Sequence, residues 1–255
     1  MAWIFWVWYV IGAVLLLTIG VPRVLDFSNG LFLVFYALYA LSLVRKSTVQ
    51  TSLSDWSVSG EKNISMRHLL SAAALMWLGG MALEWMGVHT GWPFGQYAYS
   101  DTLGSLIWGV PWTLGFAWIA VVTGGILLSS VPGLRGWMGK LIRACLVGVW
   151  IIILDLVLDP VAHARGFWHW GGSGGFYGVP WSNFVAWFVV GGVLSLSIPL
   201  LTLSRRIRRQ AVWLYQAILF MFGLLAWQHG ITGSVVFALI GILLAEGSYR
   251  YDRRA

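Results

Sequence analysis

The chain has 255 residues, 59% of them hydrophobic and 10% charged, with a formal net charge of +7 and a mean hydropathy of +0.79. Soluble domains carry about 25% charged residues, so the composition excludes one and predicts a single integral membrane domain over 1–255. The lone Cys145 excludes an internal disulfide and a cysteine metal cluster, and basic residues gathered at membrane edges argue against nucleic acid as a partner.

Apolar runs predict about eight spans, near 3–21, 30–44, 66–88, 109–129, 140–160, 181–203, 210–228 and 231–247. Backbone groups in lipid must bond within their own segment, so the fold class is all-α, a polytopic transmembrane helix bundle. The opening "MAWIFWVWYVIGAVLLLTIG" has no basic leader and no small-residue cleavage site, and reads as a retained span. Eight spans place the joints at 45–67 and 130–143, the "SRRIRR" joint and the C-terminal tail on one face. That face holds Arg45, Lys46, Lys62, Arg67, Arg135, Lys140, Arg143, Arg205, Arg206, Arg208, Arg209, Arg250, Arg253 and Arg254, against Arg23 and Arg165 opposite. The bias predicts a multi-pass protein of the cell membrane with both termini cytoplasmic.

The low-charge face receives two Gly- and aromatic-rich loops, starting at His89 and His163. Each runs into a matching segment, "WGVPWTLGFAW" ending at Trp118 and "YGVPWSNFVAW" ending at Trp187. Each follows an apolar helix that carries acid near its end: Glu84 in one case, Asp155 and Asp159 in the other. The pattern predicts a parallel internal repeat of spans 3–4 and 5–6, in units of about 66–129 and 140–203. Pro111 and Pro180 are expected in the first turns of the helices that follow.

An acidic side chain in a span is costly and marks a functional site by default. Asp155 and Asp159 lie one turn apart on one helix face, where two like charges in a low dielectric would share a proton. At least one of Glu84, Asp155 and Asp159 is therefore expected to be a neutral carboxylic acid. A structural pair, such as Asp159 with Arg165, is the plain alternative. His163 continues the Asp155–Asp159 stripe if the helix survives Pro160. His89, His163 and His169 share the acids' face, but without a histidine box they predict no metal site. Asp101 is expected in a turn, and Glu246 beside Arg250.

Aromatic residues crowd both loops, and the candidates for binding are Trp92, Phe94, Tyr97, Tyr99, Trp112, Trp168, Trp170, Tyr177 and Trp181. Their π-faces attract cations, more strongly once desolvated. A neutral acid between aromatic walls, reached from lipid, suits protonation of an alkene to a tertiary carbocation and its capture by water. That chemistry belongs to a hydratase or isomerase of a polyene or isoprenoid.

The stretches "EWMGVHTGWPFGQYAYSDTLG", "GVPW", "LDLVLDPVAHARGFWHW" and "GGFYGVPWSNFVAW" resemble the carotenoid biosynthesis membrane proteins. That family includes the carotenoid hydratases of bacteria and haloarchaea, such as bisanhydrobacterioruberin hydratase. The resemblance covers roughly 80–190. It implies addition of water to the terminal isopropylidene double bond of an acyclic carotenoid, without a cofactor. It also implies Glu84, Asp155 and Asp159 as the acidic positions, with Asn183 and Tyr177 as polar partners. Asp155, Asp159 or Glu84 would donate the proton, and a second carboxylate or His163 would orient water. Which carboxyl is the donor stays open. A metal-dependent membrane oxygenase or desaturase, and a non-enzymatic carotenoid or lipid binder or transporter, are the alternatives.

Overall fold

The computed structural model describes residues 2–54, 64–129, 135–172 and 174–252. Lys62, Arg253 and Arg254, counted above on the basic face, lie outside the described residues. Within them the chain forms eight helices: α1 (Ala2–Leu17), α2 (Phe27–Ser54), α3 (Met66–Thr90), α4 (Leu114–Leu128), α5 (Gly136–Ala164), α6 (Trp181–Ser195), α7 (Arg205–Gln228) and α8 (Thr232–Asp252). Five of them (α2, α3, α5, α7 and α8) are long and apolar enough to cross a membrane, while α1, α4 and α6 are shorter apolar helices. The protein is an all-α helical bundle of the integral membrane class.

Small residues set the packing. α4 is buried along almost its whole length and packs on α2, α3, α5, α6 and α7. Its run of Gly, Ala and Val lets neighbouring backbones come close, which drives association where lipid removes the hydrophobic gradient. α1 is the opposite case. Trp3, Val7, Val10, Ile11 and Val14 are all more than half exposed, as expected of a helix that turns one face to lipid.

Polar groups explain where helices end and bend. Ser65 caps α3 by accepting from the His68 N–H, and Gly91 closes it at φ 76°. Ser204 caps α7 in the same way through Ile207. α6 stops at Ser195, short of the expected 203, and its last carbonyl and two just beyond it are gathered by a buried guanidinium. Arg143 donates to the Ser195, Ile198 and Pro199 carbonyls at 2.7, 2.6 and 2.5 Å. One residue of the predicted basic face is thus an internal clasp between α5 and α6. Pro160 does not break α5. It removes the hydrogen bond that the Leu156 carbonyl would accept, and the Ser234 hydroxyl of α8 supplies a substitute at 2.7 Å.

The loops on the acid-bearing side hold four short strands: β1 (Tyr97–Tyr99), β2 (Leu106–Ile107), β3 (Val110–Pro111) and β4 (Trp168–Trp170). Strands β1 and β4 pair antiparallel, Tyr97 opposite Trp170 and Tyr99 opposite Trp168. β2 and β3 make a hairpin whose turn is Trp108–Gly109. Both turn residues have positive φ, 49° and 84°, and Tyr177–Gly178 repeats this at 51° and 86°. These are the dihedral signs of a type I′ turn, which accounts for the glycine of each "GVPW". The valine after each turn, Val110 and Val179, is fully buried. The prolines then part company. Pro180 directly precedes α6 at its N-cap, but Pro111 lies in β3 and α4 starts only at Leu114. The expectation of a first-turn proline therefore fails for Pro111, because the hairpin extends through it.

Candidate active site

The sequence puts Glu84 between two glycines, Gly80 and Gly87, one turn before and one turn after it on α3. A side chain at Gly80 would overlap Trp118, and one at Gly87 would come within 2.6 Å of the Tyr97 hydroxyl. The glycines thus open the space through which Glu84 meets its donors. Trp118 Nε1 donates to Oε1 at 3.0 Å. The Tyr97 and Tyr99 hydroxyls donate to Oε2 at 2.6 and 2.7 Å. Burial, and then the adjacent Glu84, push both phenols above their ordinary pKa, so they remain donors.

α5 presents the other two acids on consecutive turns. Asn183, in the first turn of α6, bridges them: its Nδ2 donates to Asp155 Oδ2 at 2.9 Å and to Asp159 Oδ2 at 2.6 Å. An amide nitrogen has two N–H bonds, so both are used. Asp159 also accepts from Trp168 Nε1 and, at 3.3 Å, from Trp170 Nε1. Asp155 accepts from Asn183 alone among the described residues. The pairing of Asp159 with Arg165, entertained as a structural alternative, is absent. The indoles and the amide take its place.

The ribbon of β1 and β4 explains how four aromatic residues reach two of the acids, Glu84 and Asp159. Side chains alternate across a strand, so Tyr97, Tyr99, Trp168 and Trp170 share the inner face while Ala98 and His169 face out. Tyr97 packs on Trp170 with ring centroids 4.8 Å apart, and Tyr99 meets Trp168 edge-on at 5.7 Å. Below them Trp118 and Trp187, the last residues of the two matching segments, stack at 4.1 Å and 11°.

One cavity, about 1350 Å³ with its open parts included, collects these groups. Its polar end is lined by Glu84, Asp155, Asp159, Tyr97, Tyr99, Trp168, Trp170 and Asn183. Most of the rest is apolar, with walls from α1 (Trp8, Gly12, Leu16), α2 (Phe32, Leu33), α4 (Leu114, Ala117, Val121) and α7 (Ile218, Met221, Phe222). Of the residues expected in the site, these eight come together. Six do not line the cavity. His163 sits behind the wall, its Nδ1 3.2 Å from the Trp168 carbonyl oxygen. Phe94 is buried against Trp118 and Tyr97. Trp92 and Trp181 are largely exposed, and Trp112 packs on Phe116. The Tyr177 oxygen accepts from the Gly233 N–H at 3.0 Å.

Sequence reasoning passed over Tyr36, Arg165 and Trp187, which do line the cavity, along with the walls from α1, α2 and α7. Those walls carry no motif, only the apolar residues any span has. Arg165 was visible as one of two basic residues on the low-charge face. Its buried Nε has no hydrogen-bond acceptor among the described residues, and burial holds the guanidinium below its ordinary pKa. Elsewhere, Glu246 pairs with Arg250 at 2.9 Å and also with Arg209, and Asp101 opens a 3-10 turn. Among the described residues no group of three or more His, Cys, Asp or Glu side chains is placed to share a metal ion.

Fold and site together define a membrane helix bundle with an acid-tipped, aromatic-walled apolar cavity. The chain belongs to the carotenoid biosynthesis protein family, which it matches over residues 31–247. It is also similar to bisanhydrobacterioruberin hydratase of Haloarcula japonica, with 34% identity over 134 residues. That stretch covers 52% of this chain and 45% of the relative, so less than half of the relative's length is matched. No solved structure matches the chain.

Proposed function

We propose that the protein is a hydratase that adds water across the terminal isopropylidene double bond of an acyclic carotenoid, without a cofactor. The observation that carries this reading is the convergence of Glu84, Asp155 and Asp159 on one end of an otherwise apolar cavity. The family and the hydratase relative support the reaction class and a carotenoid substrate held in the membrane. The geometry favours a division of labour. A carboxylate is stabilised by the donors it accepts. Glu84 accepts three side-chain hydrogen bonds and Asp159 three, but Asp155 only one. Asp155 is therefore the carboxyl that carries the proton and gives it to the alkene carbon. The tertiary carbocation forms between the Tyr97–Trp170 pair and Trp187, whose π-faces offset its charge. Water on the Glu84 side attacks the cation and passes its spare proton to a carboxylate. One water is consumed, and the acid is restored by proton exchange.

The same reading takes the eight helices as eight spans of the cell membrane with both termini cytoplasmic. It takes α3–α4 and α5–α6 as two copies of one unit. The matched I′ turns, the paired strands and the stacked tryptophans support duplication. Expression in cells that make an acyclic carotenoid, with pigment masses read out, tests the function. The expected product is heavier by one water (about 18 Da). Unchanged pigment that co-purifies with the protein would favour a binder or transporter. A product that requires oxygen would favour an oxygenase or desaturase.

A further inference from the structure

The cavity has two kinds of wall. Along α1 and α7 it is apolar, and the back of α1 is exposed as a lipid-facing helix is. Its remaining polar lining, apart from the acid cluster and the deep Tyr36, lies at helix ends. Ser28 and Asn29 stand in the first turn of α2, and Arg165 directly follows α5. All three are part-exposed, as is Tyr99, which also lines the cavity and pairs with Trp168, three residues beyond Arg165. Asn29 donates its amide to the Thr102 carbonyl at 3.4 Å, which fixes it against the loop and leaves its own oxygen for other work. Arg165 keeps a buried N–H that no described protein atom accepts. A buried donor left unmet is expensive, and a bare cation beside a developing carbocation would oppose it. A polar site with several unmet groups is where a bridging water is favourable.

We propose that Arg165, Asn29 and Tyr99 form a water port at the helix-end face of the cavity, and that Arg165 is the positioning residue that steers the attacking water towards Glu84. Tyr99 completes the route, because its hydroxyl bonds Glu84 directly at 2.7 Å. The polyene enters from lipid and the water enters from the aqueous side, so the two reactants never compete for one opening. This inference rests on the hydratase reading. In that reaction a carbocation that meets no water gives up a proton to a carboxylate and re-forms the alkene, and when the proton lost is the carbon's original hydrogen the one just added stays behind. In D2O the returned alkene carries deuterium at the protonated carbon.

The test is the ratio of deuterium-exchanged substrate to hydrated product, measured by mass spectrometry on an acyclic carotenoid supplied in D2O. Arg165→Leu should raise that ratio by about tenfold or more, the effect of losing a hydrogen bond to a charged group. Arg165→Lys should restore most of it, since an ammonium still donates to water. Asn29→Leu should move the ratio in the same direction, and serves if Arg165→Leu does not accumulate. A merely structural role would lower exchange and hydration together, and an unchanged ratio overturns the port while the hydratase reading stands. Wild-type protein that yields neither hydrated nor exchanged carotenoid overturns that reading, and the port with it.

Discussion

The α3–β1–α4 and α5–β4–α6 halves are built alike and finished differently. Tyr97 and Tyr99 follow Glu84 by 13 and 15 residues, and Trp168 and Trp170 follow Asp155 at the same spacings. Paired as β1 and β4, the four residues make one inward face. The acids they serve are not equally provided for. The first half surrounds one carboxylate with two phenols and an indole. The second half has two carboxyls, places Asn183 where the first half has Leu114 in the matching segment, and leaves Asp155 with a single donor. Two similar frames thus hold two carboxyl groups with three donors each, Glu84 and Asp159, and one, Asp155, with a single donor, all lining one cavity. Environment, more than residue type, separates a base from an acid.

That contrast predicts unequal losses. Asp155→Asn keeps the shape and removes the proton. Hydration should fall by 10²–10⁴-fold, as for loss of a general acid, and deuterium exchange into the substrate should fall with it. Equal hydration by Asp155→Asn and wild type would remove Asp155 from the role. Glu84→Gln should cost about 10²-fold in hydration but spare exchange, because the proposed proton donor, Asp155, is in the other half. Loss of both in Glu84→Gln would mean the halves have the opposite roles. Asn183→Leu makes the second half resemble the first at that position. It should cost roughly tenfold in rate, from the two lost hydrogen bonds to carboxyl groups, measured with protein whose folding is checked in detergent.

The helices were legible because lipid allows so few alternatives. Each of the eight expected spans corresponds to a helix, and the misfits are at ends. α2 runs on to Ser54, past the expected 44, as a helix can once it leaves the apolar run. α4 starts late because the "WGVPW" hairpin uses the residues before it. Seven of the eight cavity-lining site residues were legible as acids and aromatics in and after the repeated helices, and Asn183 only through the family resemblance. The exposed Trp92 and Trp181 were not separable from them, since an interface belt and a binding wall draw on the same residue types. Arg143 was misread for a similar reason. Basic residues near a span end look like membrane-edge charge, and only the early stop of α6 reveals a clasp. The walls from α1, α2 and α7 had no signal at all, because apolar residues facing a cavity and facing lipid are chemically the same.

The smallest expected effect distinguishes the halves at their point of contact. Trp118 and Trp187 occupy the same place in the matching segments and stack on each other, so a phenylalanine at either position loses similar aromatic surface. Trp118 additionally donates to Glu84 and is fully buried, whereas Trp187 lines the cavity. Trp118→Phe should therefore destabilise by the stacking loss plus an unmet carboxylate bond, about 2–4 kcal/mol in all. Trp187→Phe should cost about 1 kcal/mol. Thermal inactivation of the two variants in the same detergent measures the difference. Equal midpoints would mean that the indole N–H does nothing for Glu84, and that Tyr97 and Tyr99 alone hold that carboxylate.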